Sequence, residues 1–294
     1  MDQRLAQRDA EAKSVAKKNR LDKDPPFRPQ KRLGQHFLKD RVLIERIVSC
    51  AGLKRSDIIL EIGPGLGALT VPMAEAAGQV VAVEKDPILV ENLGKRLFRE
   101  GIQNVTLHHA DILRMDFSDL FKTEKQKIKV IGNLPYNISS PLLEKLVRNR
   151  VRVSEAILMF QQELAKRLVA LPGTKAYGSL SVLVQYHARI RSLLEVPKEA
   201  FYPRPKVDSL VLHFDFRIPH PRRAVDDTLL LRVVRGAFSQ RRKTLKNALK
   251  ASMPHSEAVL IESLRNCNVD PGRRAETCSL DEFICVSDRL AGLS

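Results

Sequence analysis

The feature that most constrains the fold is a glycine-rich turn, Glu61-Ile-Gly-Pro-Gly-Leu-Gly67, between a candidate strand and a candidate helix. Its glycines allow the backbone to turn tightly and a ligand to approach it closely. The G-x-G-x-G spacing differs from the G-x-G-x-x-G of dinucleotide-binding folds, and no Lys-Ser or Lys-Thr pair follows to indicate a phosphate-binding P-loop. The motif predicts a strand–turn–helix unit with a ligand at the turn, although an ordinary tight turn would look the same in isolation.

Short apolar runs alternate with amphipathic stretches over residues 31–216. Such alternation is typical of a parallel, doubly wound sheet, so we predict a Rossmann-like α/β fold. A strictly alternating run, Asp208–Phe216, predicts a half-buried antiparallel strand at the end of that sheet. Asp86–Pro87 and Ser140–Pro141 each predict a helix start, an N-cap followed by proline. The other candidate strands are Ile58–Ile62, Val80–Glu84, Val105–His109, Lys129–Gly132 and Ala156–Phe160.

The pattern divides the chain into three parts. Residues 1–30 are polar and of mixed charge, and we predict a flexible basic tail. Residues 31–216 form the predicted α/β domain. Residues 217–294 are purely helical in pattern and predict a small C-terminal all-helical domain, in which Ser279 and Glu282 form a capping box.

The charge points to a polyanionic partner. The formal net charge is +16 and the pI is about 9.9. Half of the excess lies in residues 217–250, which hold ten Lys or Arg and two acidic residues. This density favours nucleic-acid contact, although a solvated basic face is the simpler alternative.

Four cysteines are present, none in a C-x-x-C pair, and no histidine cluster has metal-ligand spacing. We therefore predict no metal site and reduced, mostly buried thiols. No apolar run approaches the ~20 residues of a membrane-spanning helix. The charged, non-apolar start of the chain predicts no secretory signal, so we expect a cytoplasmic protein.

Two carboxylates lie at the ends of predicted strands, at the edge of the sheet where the glycine turn lies. Glu84 ends the strand after the turn, where a carboxylate can accept hydrogen bonds from ribose hydroxyls. Asp111 follows the next strand and can accept from an adenine amino group, although it could equally be the N-cap of a helix beginning at Ile112. Together they indicate a nucleoside cofactor without naming it.

The segment Gly132-Asn-Leu-Pro-Tyr-Asn-Ile-Ser-Ser140 indicates the chemistry. An adenine N6 is a poor nucleophile because its lone pair is delocalised into the ring. Two acceptors aimed at its N–H bonds, the side-chain oxygen of Asn133 and the carbonyl of Leu134, would localise that lone pair. Pro135 fixes the backbone and Tyr136 can stack on the base. In company with the turn, Glu84 and Asp111, this segment predicts adenine N6 methylation.

With these motifs the sequence resembles the KsgA-type family of small-subunit ribosomal RNA adenine N6,N6-dimethyltransferases. The resemblance runs from Leu33 to Asn247. Its motifs are Leu33-Gly-Gln-His-Phe-Leu38, Glu61–Gly67, Val83-Glu84-Lys85-Asp86, Gly132–Ser140, Phe201-Tyr-Pro-Arg-Pro-Lys-Val-Asp-Ser209 and Ala237-Phe-Ser-Gln-Arg-Arg-Lys-Thr-Leu-Lys-Asn247. It implies an S-adenosylmethionine-dependent enzyme, with residues 31–216 as the methyltransferase domain and 217–294 as the RNA-binding domain.

The resemblance also implies roles for single residues. Asn133, Leu134, Pro135 and Tyr136 would handle the target base, and Phe201 would stack on its other face. The cofactor would be contacted by His36 and Leu38 from an N-terminal lid, by Gly63 at the methionine part, by Glu84 at the ribose, by Asp111 at the adenine, and by Asn133. RNA would be bound by Arg241, Arg242, Lys243 and Lys246, which we place on one predicted helix.

The resemblance implies two adjacent adenines in a hairpin loop near the 3′ end of small-subunit RNA as substrate, both dimethylated on the immature subunit by a monomeric protein. Two alternatives remain open from the residues. One is the antibiotic-resistance type of enzyme, which methylates large-subunit RNA with the same core. The other is a non-enzymatic RNA-binding assembly factor that retains the fold.

Overall fold

The computed structural model describes residues 29–30, 34–121, 127–135 and 138–293. The chain divides after Gln35, and the fold given below is that of the residues that follow. In the preceding segment the backbone N–H of Gln30 donates to Oε1 of Gln35 over 2.7 Å. The predicted tail, residues 1–30, lies almost wholly outside the described residues and stays a prediction.

In chain order the strands of the described residues are β1 Phe37–Leu38, β2 Ile58–Ile62, β3 Gln79–Glu84, β4 Val105–His109, β5 Ile128–Asn133, β6 Val153–Gln161, β7 Arg189–Val196, β8 Phe201–Tyr202 and β9 Ser209–Asp215. Six of these nine strands match predicted ones, and β1, β7 and β8 were not predicted. Within the described chain, seven of the nine form one sheet in the order β4-β3-β2-β5-β6-β9-β7. The first five strands in this order, from β4 to β6, are mutually parallel, which confirms the predicted α/β class.

The prediction for Asp208–Phe216 is partly wrong. The strand is antiparallel as expected, but it lies inside the sheet, because the unpredicted β7 pairs with its outer edge. Every residue of β9 is buried, so the polar positions of its alternation do not face solvent. His213 lies 3.0 Å from Glu155, and Asp215 is paired with Arg217 over 2.9 Å. These ionic partners allow polar side chains to be buried.

Helices cover both faces of the sheet. They are α1 Arg41–Cys50, α2 Thr70–Ala76, α3 Pro87–Arg99, α4 Phe117–Leu120, α5 Ser139–Arg148, α6 Gln162–Leu168, α7 Ser179–His187, α8 Asp227–Ser239, α9 Leu245–Lys250, α10 Glu257–Asn266 and α11 Leu280–Ala291. Side chains of α1 and α2 pack on one face of the sheet, whereas side chains of α5, α6 and α7 pack on the other. The inner strands β2, β3, β5, β6 and β9 are therefore largely buried, whereas the outer strands β4 and β7 are partly exposed.

Two of the three predicted caps are confirmed. The side chain of Asp86 caps α3, with Pro87 as its first residue, and the capping box of Ser279 and Glu282 begins α11. The third is wrong, because α5 begins at Ser139 and Pro141 occupies its third position. Proline fits there because the first N–H groups of a helix have no partner within it.

The C-terminal helices share a core with residues that precede position 217. Tyr177, Val182 and Tyr186 are buried in the same hydrophobic cluster as side chains of α8 to α11. Val182 and Tyr186 belong to α7, and two other residues of that helix, Leu183 and Val184, pack on the sheet. The predicted domain boundary at residue 217 therefore stays a prediction, since the helix before it packs on both sides.

The expectation of reduced, mostly buried cysteines is wrong for part of the set. Cys267 and Cys285 form a disulfide whose Cα atoms lie 5.8 Å apart, because the end of α10 packs beside α11. Cys50 is exposed, and only Cys278 is a buried free thiol among the described residues. No helix of the described chain is long and apolar enough to cross a membrane.

The ends of β2 and β5 approach each other closely at Gly132, and a substitution there tests this. A Cβ at this position would lie 2.7 Å from the backbone oxygen of Ile62, which cannot move without disturbing the sheet. Gly132→Ala should therefore lower the free energy of unfolding by about 1–3 kcal/mol, the usual cost of overpacking. Urea denaturation of the variant and the wild type measures the difference.

Gly94 provides the matched control. It lies in α3 with open space where its Cβ would stand. Gly94→Ala should raise the free energy of unfolding by about 0.4–1 kcal/mol, because alanine loses less entropy in a helix. A Gly132→Ala protein as stable as the wild type would show that the two strand ends have room to separate.

Candidate active site at the carboxyl edge of the sheet

The glycine-rich turn has the conformation that its glycines predict. Gly63 and Gly65 have φ values of 70° and 58°, in the left-handed region that favours glycine. The N–H of Gly63 donates to the carbonyl of Val83 over 3.0 Å, which ties the turn to the neighbouring strand. A Cβ on Gly65 would lie 3.1 Å from the ring of Phe37. The turn therefore presents bare backbone at the edge of the sheet.

Glu84 is a buried carboxylate fixed by the main chain. Its Oε2 accepts from the N–H of Gly65 over 3.2 Å, and its Oε1 accepts from the N–H groups of Lys85 and Asp86 over 2.8 and 2.9 Å. Burial raises the pKa of Glu84 in spite of these three donors. A carboxylate has about four acceptor positions, and the three backbone donors leave one of them for a ribose hydroxyl. A second ribose hydroxyl would have to share an oxygen that already accepts a hydrogen bond.

Asp111 lies beside Glu84 and is partly exposed. Its Oδ2 accepts from Nζ of Lys85 over 2.9 Å, and its Oδ1 accepts from the N–H of Leu113 over 3.0 Å. Desolvation raises the pKa of Asp111, but these hydrogen bonds together with the charges of Lys85 and Arg114 outweigh it, so that the pKa is lowered. Asp111 thus caps a turn and not a helix, since α4 begins only after Asp116. Its contact with an adenine amino group stays a prediction.

Glu61 is a functional candidate to which the sequence analysis assigned no role of its own. Its side chain is 2% exposed, and its Oε2 has no hydrogen-bond partner among the described residues. Burial raises the pKa of Glu61 to about 8, and the nearby Glu84 carboxylate adds to the rise. The glycine motif contained the signal, an acid placed just before the turn, but only the structure shows that it is buried.

Asn133 and His36 are brought together, as the predictions for them require. Nδ2 of Asn133, at the end of β5, donates to the carbonyl oxygen of His36 over 2.9 Å. Nδ1 of His36 in turn donates to the carbonyl oxygen of Pro203 over 2.7 Å. Because Nδ2 is the donor in the first bond, Oδ1 of Asn133 is the amide atom that can accept a hydrogen bond from a ligand.

Strands β1 and β8 form a short antiparallel pair, which we call the lid ribbon (Phe37–Leu38 and Phe201–Tyr202). Leu38 lies opposite Phe201, and both are buried in the core beneath. The ring of Phe201, only 2% exposed, would have to be uncovered before a base could stack on it. Its stacking role stays a prediction.

The remaining predicted base-handling residues follow Asn133. The side chain of Leu134 is buried in the core, and the predicted role belongs to its carbonyl. Pro135 accepts at its carbonyl from the N–H of Ile138 and from Oγ of Ser139 over 3.2 and 3.3 Å, which closes the turn into α5. Tyr136 lies outside the described residues, so its stacking also stays a prediction.

The predicted RNA-binding residues do not share one helix. Arg241, Arg242 and Lys243 lie in the turn between α8 and α9, which we call the basic turn, and all three are exposed. Helical periodicity continues into this stretch, but α8 ends at Ser239. Lys246 is in α9 and lies 3.4 Å from the carboxylate of Glu257, so part of its charge is already neutralised.

The edge therefore collects polar groups from the ends of adjacent strands. Glu61 is on β2, Glu84 ends β3, Asp111 follows β4 and Asn133 ends β5, and these strands are neighbours in the sheet. This is the place where open α/β sheets bind ligands. Bare glycine backbone, fixed carboxylates and the unsatisfied Glu61 oxygen suit a nucleoside cofactor that carries positive charge. Among the described residues, no group of three or more His, Cys, Asp or Glu is arranged to hold a metal ion.

Comparison with known proteins agrees with the assignment of this edge as a site for a nucleoside cofactor. The model of the ribosomal RNA adenine dimethylase family matches residues 27–291. The ribosomal RNA small subunit methyltransferase A of Desulforapulum autotrophicum is 46% identical over 262 residues, covering 89% of this chain and 92% of that protein. The protein of the same name from Geobacter metallireducens is 46% identical over 270 residues, covering 91% and 97%.

Solved structures show the same fold. The crystal structure of a dimethyladenosine transferase from Plasmodium falciparum has a TM-score of 0.72 and 27% identity, covering 85% of this chain and 95% of that one. The 23S rRNA methyltransferase ErmE has a TM-score of 0.64 and 24% identity, covering 87% and 99%, and supports the fold alone.

The raised pKa of Glu61 predicts a pH-dependent stability. The folded protein keeps the proton up to about pH 8, whereas the unfolded chain releases it near the ordinary value of 4.5. The wild type should therefore lose stability relative to Glu61→Gln as the pH rises from 5 to 8. The change is at most about 4 kcal/mol, at about 1.36 kcal/mol per pH unit. Urea denaturation without cofactor, at both pH values, measures it.

The control is Glu75→Gln, a change at an exposed position of α2. Its stability difference from the wild type should be the same at both pH values. If the Glu61→Gln difference were equally constant, Glu61 would be ionised in the folded protein and the electrostatic description of the pocket would be wrong.

Proposed function

This chain belongs to the ribosomal RNA adenine dimethylase family, and from that premise we propose that it transfers methyl groups from S-adenosylmethionine to adenine N6 amines of small-subunit ribosomal RNA. The observation that carries the proposal is the hydrogen bond of Asn133 to His36, which presents Oδ1 of Asn133 beside the glycine turn. The two relatives that are 46% identical favour small-subunit RNA, and likeness to the large-subunit enzyme extends to the fold alone.

The finer parts of the proposal concern the substrate and the setting. The targets are two adjacent adenines in a hairpin loop near the 3′ end of the RNA, and both become dimethylated. The enzyme acts in the cytoplasm as a monomer on the immature small subunit. The resemblance of the motifs to the family supports these statements, and the excess positive charge fits an RNA partner.

The residues at the sheet edge bind and orient the cofactor. When bound, S-adenosylmethionine supplies a methyl group attached to a positively charged sulfur. The sulfur is a good leaving group. Glu84 accepts from the ribose, Asp111 accepts from the adenine amino group, and the bare backbone at Gly63 faces the methionine part. His36 and Leu38 cover this site from the lid side. Their contribution to the rate is positioning, because holding the methyl donor in line with the target nitrogen removes the entropic cost of bringing the two together.

Asn133 and Leu134 make the target amine nucleophilic. Oδ1 of Asn133 and the carbonyl of Leu134 accept from the two N–H bonds of N6, which draws the nitrogen towards a tetrahedral form and localises its lone pair. Positive charge develops on the nitrogen in the transition state, and these acceptors are already oriented towards it. Pro135 fixes the backbone between these two residues and Tyr136. After transfer the positively charged nitrogen releases one proton to water, which leaves the neutral methylated amine.

The adenine has to leave its stack to reach this position, at a cost of about a few kcal/mol. Stacking on Tyr136, and on Phe201 once uncovered, would return about 1–3 kcal/mol per ring. The basic turn would hold the RNA backbone, which contributes affinity without reading sequence. The enzyme thus separates affinity for RNA from recognition of the base.

The test of the function is methyl transfer from labelled S-adenosylmethionine to unmethylated small subunits, with the modified nucleotides mapped. Asn133→Ala should lower the single-turnover rate by about 10²–10³, the effect of removing one preorganised polar group. Affinity for subunits and cofactor should change much less. Dimethyladenosine should fall more than monomethyladenosine, because the second transfer positions a bulkier amine. Mass spectrometry separates the products.

The control is Asn92→Ala, a half-buried asparagine of α3 outside the candidate site, which should transfer at the wild-type rate. An Asn133→Ala enzyme that dimethylates as fast as the wild type would remove Asn133 from the mechanism. A wild type that binds subunits tightly but transfers no methyl group would overturn the enzymatic function itself.

The basic turn predicts a salt-dependent contribution to RNA binding. Changing Arg241, Arg242 and Lys243 to Glu should weaken binding and reduce the slope of log affinity against log salt by about 2–3, because each phosphate contact contributes about 0.7–0.9. Cofactor affinity should remain, since the turn lies in the helical part of the chain. Titrations of RNA at several salt concentrations measure the slope.

A matched reversal of Arg46, Lys54 and Arg55, all exposed on the α1 side of the sheet, changes the net charge equally. It should leave the slope closer to that of the wild type. Equal effects of the two triple variants would mean that net charge, and not the basic turn, determines RNA affinity.

A further inference from the structure

The lid ribbon carries one aromatic ring that the proposed mechanism does not use. Tyr202 follows the buried Phe201 in β8, yet it is 63% exposed. A large apolar ring at the surface gains nothing from packing, and Phe201 already fills the core position of this strand. The exposed ring is therefore available to a partner.

Pairing within the ribbon places Tyr202 at the mouth of the candidate site. It lies directly opposite Phe37 in the antiparallel pair. Directly opposed residues project from the same face of such a pair. The ring of Phe37 lies over Gly65 of the glycine turn, and the residue before it, His36, accepts the hydrogen bond of Asn133. Tyr202 thus stands beside the groups that surround the reacting amine, but outside them.

The backbone on both sides of Tyr202 is held in place. The carbonyl of Ala200 accepts from the N–H of Lys39 over 2.9 Å, and the carbonyl of Pro203 accepts from the ring of His36 over 2.7 Å. The two bonds bracket the tyrosine and tie it to the strand that covers the glycine turn. An exposed ring on a fixed backbone loses little entropy when a ligand stacks on it.

Basic side chains follow Tyr202 along the same exposed segment. Arg204 forms an ion pair with Glu199 and is 55% exposed at its side chain, and Lys206 is also exposed. Aromatic rings flanked by cationic side chains are the usual means of holding single-stranded nucleic acid, since bases stack on the ring and phosphates approach the cations. The surface fits an unpaired nucleotide better than a protein or a lipid.

We propose that Tyr202 stacks on the nucleobase next to the target adenine while that neighbour remains outside the pocket. The inference rests on the proposed function, in which the two substrate adenines are adjacent. One base enters the edge of the sheet at Asn133, and its neighbour, still attached through one phosphate, lies at the mouth of the site. Tyr202 is thus a positioning residue for the pair of adenines, and it does not touch the reacting nitrogen.

The first experiment compares single-turnover transfer to unmethylated small subunits at varied subunit concentration. Tyr202→Ala should raise the half-saturating concentration about 5- to 100-fold, the effect of losing one stacked base. The rate at saturation should change less than about threefold. Tyr202→Phe, which keeps the ring, should behave as the wild type. Phe98→Ala, which removes an 88% exposed ring from α3, should have no effect.

The second experiment identifies the group that the ring contacts. Small subunits are reconstituted with RNA in which one of the two adenines is replaced by an abasic nucleotide, and transfer to the remaining adenine is measured. The missing base should raise the half-saturating concentration for the wild type and for Tyr202→Phe. It should have little further effect on Tyr202→Ala, because base and ring contribute through the same contact.

The outcomes separate the two levels of the proposal. A wild type that transfers no methyl group to subunits overturns the proposed function and this inference with it. An active wild type with an unchanged half-saturating concentration in Tyr202→Ala overturns only the role of Tyr202. Independent, additive losses from the abasic nucleotide and from Tyr202→Ala show that the ring contacts something other than the neighbouring base, which also overturns the inference.

Discussion

The site depends on the hydrogen bond from Nδ2 of Asn133 to the carbonyl of His36. It joins the residue that precedes the lid ribbon to the end of β5, two segments far apart in the chain. It also fixes which way the amide of Asn133 points, so that an acceptor and not a donor is available to the ligand. In the proposed mechanism this bond links covering of the cofactor to activation of the amine, because His36, which orients the amide of Asn133, directly precedes Phe37, whose ring lies over Gly65.

Two buried carboxylates near this bond give the pocket its electrostatic character. Glu84 is held by three backbone N–H groups, whereas Glu61 is buried with an unsatisfied oxygen, and the charge of Glu84 raises the cost of ionising Glu61. A positively charged ligand relieves that cost, and its attraction to carboxylates is stronger where water is excluded. A cationic cofactor beside Glu61 would therefore lower the pKa of this residue and favour its ionised form.

The sequence predicted the fold well where local signals and tertiary structure coincide. Strands buried on both faces read as apolar runs, and Asp86–Pro87 capped its helix as expected. Prediction failed where distant partners decide the outcome. His213 of β9 looked solvent-facing because its partner Glu155 lies on another strand, β6, and Cys267 and Cys285 are brought together only by helix packing. Of the candidate site, the strand-end residues could be placed from motifs, but the burial of Phe201 and Glu61 could not, since burial is a property of everything packed around a side chain.

Helix α7 contributes side chains to two hydrophobic clusters, that of the sheet and that of the C-terminal helices. Asp227, at the start of α8, strengthens the connection by pairing with Arg150 over 3.4 Å, just beyond α5. The helical part is thus braced against the sheet, and the spacing between the basic turn and Asn133 is set by packing. If RNA is bound at the basic turn, as proposed, this fixed spacing would determine which adenines can reach Asn133. Selection of the substrate would then depend on the three-dimensional shape of the RNA more than on the local base sequence.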